Sequence, residues 1–386
     1  MIKTYFSSFL ASGPRSPNDG RHTGGKRSVG LSLSVLSLGA LALSACSIIE
    51  GDEETGINYL TPAPTEVDLP ERPEPPLVPP TPNGLDFPTE VYDWRVIGMA
   101  EIPNDPAVAT DDQLRVIVGN DTAVEAARSG DTNPWPDGTM LSHLIWNATT
   151  ESVTEATVPN TRVPGAYVNL TLMVKDSEAY EADGGWAYGL WRTPELVPAD
   201  AGFDRDCVAC HTREVGEAND FVFTRPGAFP TQDAIDAALA TPTGLEVPAG
   251  ILDWRVVGAV KRNDNGQLRV VVGNDAAVDA ARAGNTDPWP EGSMLGHFGW
   301  AAGTNPDDAA MVAPGAFAVF TLMVRDEEEY EGDGGWAYGA WTTPTLNAPA
   351  AADYDRACVA CHTERVSDRD FVFTVPGALP EIESEL

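Results

Sequence analysis

The chain has 386 residues, 42% of them hydrophobic, and a formal charge of −34. Length and apolar content support two medium-sized domains with their own cores and exclude a disordered chain. The charge excludes nucleic acid as a partner, because so acidic a surface repels phosphate backbones and anionic membranes. Two roles for the acidity stand: keeping the protein soluble, and attracting a basic redox partner.

The first element in chain order is an export signal over residues 1–46. Lys26 and Arg27 supply a positive flank, and Gly30 to Ala42 form an apolar run too short and interrupted to span a bilayer. The run ends in Leu43-Ser44-Ala45-Cys46. This tetrapeptide resembles a bacterial lipobox, in which Cys46 is lipidated and becomes the new N-terminus; the alternative is an ordinary secretory signal cleaved near Ala45. Ser47 after the cysteine implies sorting to the outer membrane. The expected location is therefore the bacterial cell envelope, periplasm-facing or at the outer membrane, with the lipid as the membrane contact. Residues 47–88 follow, rich in Pro, Glu and Thr, as in Pro75-Pro76-Leu77-Val78-Pro79-Pro80. Such a composition cannot bury a core and predicts a disordered, acidic tether.

The rest of the chain is a duplication with a period of about 150 residues. Asp93-Trp94-Arg95-Val96 returns as Asp253-Trp254-Arg255-Val256, and Gly119-Asn120-Asp121 as Gly273-Asn274-Asp275. Pro134-Trp135-Pro136 returns as Pro288-Trp289-Pro290, and Gly184-Gly185-Trp186-Ala187-Tyr188 as Gly334-Gly335-Trp336-Ala337-Tyr338. All ten Trp fall into five matched pairs. The copies span residues 89–230 and 249–380, joined by a linker over 231–248.

Within each copy, Leu114 to Val118 and Leu268 to Val272 are β-branched runs that predict strands. Asn120 and Asn274 cap short helices that end at Gly130 and Gly284. Tyr167 to Val174 and Phe317 to Val324 predict the longest strands, and Phe221 to Thr224 and Phe371 to Thr374 short closing strands. The fold class is α+β, predominantly antiparallel β. Trp186 and Trp336 sit in Gly-rich turns, where they serve as core or wall a cofactor pocket. Lys175-Asp176 and Arg325-Asp326 read as surface charges at a strand end. Asp183 and Asp333 are loop carboxylates that either cap and solvate the turn or reach a pocket.

Cys207-Val208-Ala209-Cys210-His211 and Cys358-Val359-Ala360-Cys361-His362 are both Cys-x-x-Cys-His. Thiols three residues apart project from one side of a helical turn. Each can form a thioether to one haem vinyl group, and the following His can bind the iron from below. Two copies of the motif use every cysteine after Cys46. A zinc site shared between the copies and a disulfide within each pair are the alternatives.

With these motifs in order, the chain resembles the cytochrome P460 / cytochrome c′-β family. The matching features are a Gly-Asn-Asp helix, an Asn-Pro-Trp-Pro-Asp-Gly turn, a Met-Val-Lys-Asp strand, a Gly-Gly-Trp turn, Cys-x-x-Cys-His and a Phe-Val-Phe-Thr-Arg-Pro tail. The resemblance covers about residues 88 to 230 and 248 to 380. It implies two tandem, mainly antiparallel β domains, each with a covalent haem c. The attaching residues would be Cys207, Cys210, Cys358 and Cys361, and the proximal iron ligands His211 and His362. The family's homodimer implies that the two copies here form an intramolecular pseudo-dimer.

The chain also departs from the family. Hydroxylamine-oxidising members link a lysine to the haem, and by motif order that position holds His143 and His297. The lysines after the leader, Lys175 and Lys261, do not align there. His143 and His297 are candidates for a distal role in the haem pocket, or are structural histidines. Arg225 aligns with Val375, so it carries no role common to both copies. The expected function is an exported dihaem cytochrome that binds nitric oxide, carbon monoxide or a similar ligand, or transfers electrons. The alternatives are an oxidoreductase acting on hydroxylamine or nitric oxide, and a cofactor-free lipid-anchored binding module.

Overall fold

The computed structural model describes residues 78–103, 112–151, 161–343, 345–351 and 353–382. The export signal, Cys46 and the tether up to residue 77 lie outside them. Residues 71–386 form one compact unit. No helix among the described residues is long and apolar enough to cross a membrane.

In the first copy β1 (Arg95–Ile102), β2 (Gln113–Gly119), β3 (Met140–Glu151), β4 (Thr161–Lys175) and β5 (Trp186–Arg192) form an antiparallel meander. A short β6 (Val197–Pro198) pairs with β5. Two helices accompany them, α1 (Asp121–Ser129) and α2 (Phe203–Glu214), and α3 (Gln232–Asp236) follows in the segment that joins the copies. The second copy repeats the meander with β7 (Arg255–Arg262), β8 (Leu268–Gly273), β9 (Met294–Thr304), β10 (Val312–Arg325) and β11 (Trp336–Thr342). Its helices are α4 (Asp275–Ala283) and α5 (Asp355–Val366). The fold is thus mostly antiparallel sheet with few helices. Asn120 Oδ1 accepts from Ala123 N at 3.0 Å to start α1, and Gly130 in the left-handed region ends it; Asn274 and Gly284 do the same for α4.

The strands read as near-continuous apolar runs because both faces of the sheet are covered. Leu114, Val116 and Val118 on β2 enter a core shared by the two copies, whereas Ile117 enters a core built from the first copy and Met311 of the second. Leu268, Val270 and Val272 on β8 enter the same shared core, and Val271 a core of the second copy. Four of the fully buried indoles, Trp146, Trp191, Trp300 and Trp341, belong to the shared core.

Strand pairing also crosses between copies. The start of β4 pairs with β7, Thr161 opposite Arg262, and the start of β10 pairs with β1, Val312 opposite Glu101. Eight strands therefore link in the cyclic order β1-β2-β3-β4-β7-β8-β9-β10.

The segments after each cysteine helix are reciprocal. Gly227 N donates to Ile97 O and Gly377 N to Val257 O, both at 2.9 Å. Each tail then meets an indole of the other copy: Trp300 Nε1 donates to Ala228 O at 2.6 Å and Trp146 Nε1 to Ala378 O at 2.8 Å. Both glycines are required by this close approach. A Cβ on Gly377 would stand 2.7 Å from the Trp146 ring. Gly377→Ala is therefore expected to destabilise the protein by about 1–3 kcal/mol, because a buried indole has nowhere to retreat. An unchanged melting temperature would show that the tail does not sit against Trp146.

Several expectations are corrected. The tether ends earlier than residue 88: Thr81, Leu85 and Phe87 are buried, and Trp191 Nε1 donates to Pro79 O at 2.9 Å. The 231–248 linker is likewise packed, with Ile235 and Leu245 in the shared core and Trp341 Nε1 bonded to Leu239 O at 2.9 Å. The turn from Thr81 to Leu85 returns as Thr241 to Leu245, so the duplicated unit begins before the sequence boundaries. Phe221–Thr224 and Phe371–Thr374 are not strands, and Phe221 and Phe371 have φ of 60° and 61°. Lys175 and Arg325 are not surface charges but are 5% and 7% exposed. Their partners are Asp220 at 2.8 Å and Asp370 at 3.2 Å. Trp186 and Trp336 are fully buried core residues beneath these two cations and line neither cavity described below.

Candidate functional site

α2 and α5 each lie against the last long strand of their copy, where they present two thiols and an imidazole to a cavity. Cys207, Cys210 and His211 line a cavity of about 290 Å³ in the first copy. Cys358, Cys361 and His362 line one of about 450 Å³ in the second. All four cysteines are free thiols. The two pairs face separate cavities, which does not fit one zinc bound by four thiolates. Burial pushes the Cys207 thiol up to about 11, with Asp204 and Cys210 adding to the rise. Burial also raises Cys358. Neither is the low-pKa thiolate of a redox-active pair.

The imidazoles are set by the backbone. His211 Nδ1 lies 2.6 Å from Phe221 O, and His362 Nδ1 lies 2.6 Å from Phe371 O. A carbonyl only accepts, so Nδ1 carries the proton and Nε2 keeps its lone pair. Burial lowers both pKa values and favours the neutral ring, although the carbonyl bond opposes this. The His211 ring is held between Tyr188 at 4.7 Å and Phe223 at 4.9 Å, and the His362 ring between Tyr338 at 4.6 Å and Phe373 at 4.7 Å. Neither Nε2 has a hydrogen-bond partner among the described residues. A neutral, oriented imidazole with a free Nε2 beside two thiols fits an iron porphyrin attached at Cys-x-x-Cys-His.

The positive φ of Phe221 turns its carbonyl to His211, which explains why this segment cannot continue as a strand. The preceding residue, Asp220, accepts from buried Lys175 and from Trp135 N at 2.9 Å. The start of the tail is thereby tied to the end of β4. Asp370, Arg325 and Trp289 repeat this in the second copy.

His143 on β3 and His297 on β9 line the respective cavities. Each shares a hydrogen bond through Nε2 at 3.2 Å, with Thr224 Oγ1 and Thr374 Oγ1 respectively. Their Nδ1 atoms have no partner among the described residues. Burial holds both down to about 3, with Arg115 and His211, or Arg269 and His362, adding to the effect. They are neutral at physiological pH. Lys175 and Lys261 line neither cavity; Lys261 Nζ instead bonds Glu101 Oε2 at 2.6 Å. No lysine among the described residues thus lines either cavity.

Sequence reasoning missed several lining residues. Arg115 and Arg269 bring a cation to each cavity and donate to Gln113 and Gln267 at 2.7 Å through one nitrogen. Burial brings their pKa down to about 10, so both remain charged at neutral pH. Tyr188, Phe223 and Thr224, with Tyr338, Phe373 and Thr374, complete the matched set. Their recurrence in both copies was the available signal. Asp183 and Asp333 do not reach the cavities but bind Arg205 and Arg356 on the cysteine helices at 2.8 and 2.6 Å. Arg225 pairs with Asp307 of the other copy.

Each cavity is completed by the other copy. Thr161 and Val163 line the second cavity, and Asp308 and Met311 line the first. The family model for cytochrome P460 matches residues 88–224 and again 248–374. Comparison with curated proteins finds no match.

Proposed function

The chain belongs to the cytochrome P460 family and is a haem-binding cytochrome, and from this premise we propose that it carries two covalent haem c groups, one per copy, and uses them to bind small diatomic ligands or pass electrons. The observation that carries this is the repeated arrangement of two thiols and a carbonyl-locked imidazole around each cavity. Bound haem supplies a coordination position and a one-electron redox couple. The residues do the rest. Cys207 and Cys210, or Cys358 and Cys361, fix the macrocycle. His211 and His362 present Nε2 to the metal. The aromatic rings of Tyr188 and Phe223 and their counterparts hold the imidazole plane.

Hydroxylamine oxidation is the weaker alternative. His143 and His297 occupy the position of the cross-linking lysine, and the lysines of the folded part are engaged elsewhere. Export and lipidation at Cys46 would place the protein in the cell envelope, where Cys-x-x-Cys-His motifs are loaded with haem. The crossing strands and exchanged tails support the two copies acting as an internal pair in place of a homodimer.

Mass spectrometry of protein matured with a cytochrome c assembly system tests the core of this proposal. Two added haem masses per chain are expected. A colourless product of bare polypeptide mass, from cells that load a control cytochrome, refutes it.

A further inference from the structure

The two cavities share matched His, Cys, Tyr and Met residues, the side-chain types that ligate haem iron. His143 and Met173 in the first correspond to His297 and Met323 in the second. One thioether breaks the match. Met311 comes from the second copy, lines the first copy's cavity and is 8% exposed. At the same register the second cavity receives Thr161: Met311 precedes Val312-Ala313-Pro314-Gly315, and Thr161 precedes Arg162-Val163-Pro164-Gly165. Residues 152–160, which lead into Thr161, contain no Met, His, Lys, Cys or Tyr.

Met311 is also held in place. Asn305, 1% exposed, donates through Nδ2 to Phe223 O at 2.7 Å and to Met311 Sδ at 3.2 Å. Its backbone N donates to Met311 O at 3.2 Å. Asp307 of the same segment pairs with Arg225. The segment from Asn305 to Met311 is therefore clamped onto the tail whose Phe223 ring packs against His211. A thioether sulfur has two lone pairs. Asn305 engages one, and the other is free for a soft ligand bond of the kind that completes His/Met haem.

We propose that Met311 is the sixth ligand to the iron held by the first copy, and that the second copy's iron lacks such a ligand. This rests on the two-haem reading above. It divides the labour: the first site is a six-coordinate electron carrier and the second an open site for a diatomic ligand.

Carbon monoxide titration of the reduced full-length holoprotein tests it, with haem counted independently as the pyridine adduct. Two haems and one carbon monoxide per chain are expected, rising to two carbon monoxides in Met311→Leu. The oxidised wild type should also show the long-wavelength sulfur-to-iron charge-transfer band, which Met311→Leu should lack; the wild-type band needs no variant to fold. Uptake of two or of no carbon monoxide by the wild type, or of one by Met311→Leu, overturns the assignment. A chain with fewer than two haems refutes the underlying reading and the assignment with it, and the haem count tells that failure apart.

Discussion

Asp220→Asn should destabilise the protein by about 3–5 kcal/mol, since it leaves the Lys175 ammonium buried without a counter-charge. The side chains of Lys175 and Asp220 are 6% and 8% exposed and 2.8 Å apart, so solvent cannot take over the lost partner. Asparagine keeps the shape of the side chain and tolerates the positive φ of 46° at this position, but its one acceptor oxygen can serve either Lys175 Nζ or Trp135 N, so a hydrogen bond is lost along with the charge. The effect should reach the haem site as well, because the next carbonyl, Phe221 O, orients His211. Denaturant unfolding of Asp220→Asn and of Lys175→Met/Asp220→Asn makes the check. The double variant should recover most of the loss, since neither charge is then stranded. A double variant no better than the single one would show that the pair is not the source of the effect.

Acid should unfold the protein earlier than its carboxylates alone require. His143 and His297 are held down to about 3 in the fold, against an ordinary 6.5. The unfolded chain takes up these two protons as pH falls through 6.5, whereas the folded chain refuses them until about 3. Their contribution is therefore fully present above the unfolded value and is lost steadily across that window. Each histidine removes up to about 1.4 kcal/mol per pH unit. Stability measured at several values between pH 7 and 4 should fall less steeply in His143→Asn/His297→Asn than in the wild type. Parallel slopes would mean that the imidazoles are already protonated in the fold.

Much of this architecture was readable from residue order. The duplication, the capped helices at Asn120 and Asn274, the β-branched strands and the two Cys-x-x-Cys-His motifs are local patterns, and each needs only a few neighbouring residues to declare itself. Lys175 misled because a lone cation at a strand end is ordinarily solvated, and its partner Asp220 lies far along the chain. Phe221 to Thr224 has the aromatic and β-branched composition of a strand, but its backbone is spent on His211 and Asn305 rather than on a ladder. Pro79 to Phe87 has the composition of a tether, yet Leu85 and Phe87 give it two apolar anchors. Met311 could not be assigned to the first cavity at all, because only the crossing of β10 onto β1 brings it there.

The exchanged tails carry a consequence for biosynthesis. The indole of Trp146 acquires its carbonyl partner only from Ala378, 232 residues later in the chain. A nascent first repeat thus emerges with an unfinished aromatic face and stays vulnerable to self-association until the second repeat's tail arrives. Expressing either repeat alone should give sticky, short-lived polypeptide, whereas mixing the two halves at high concentration should let them complement one another as a split protein.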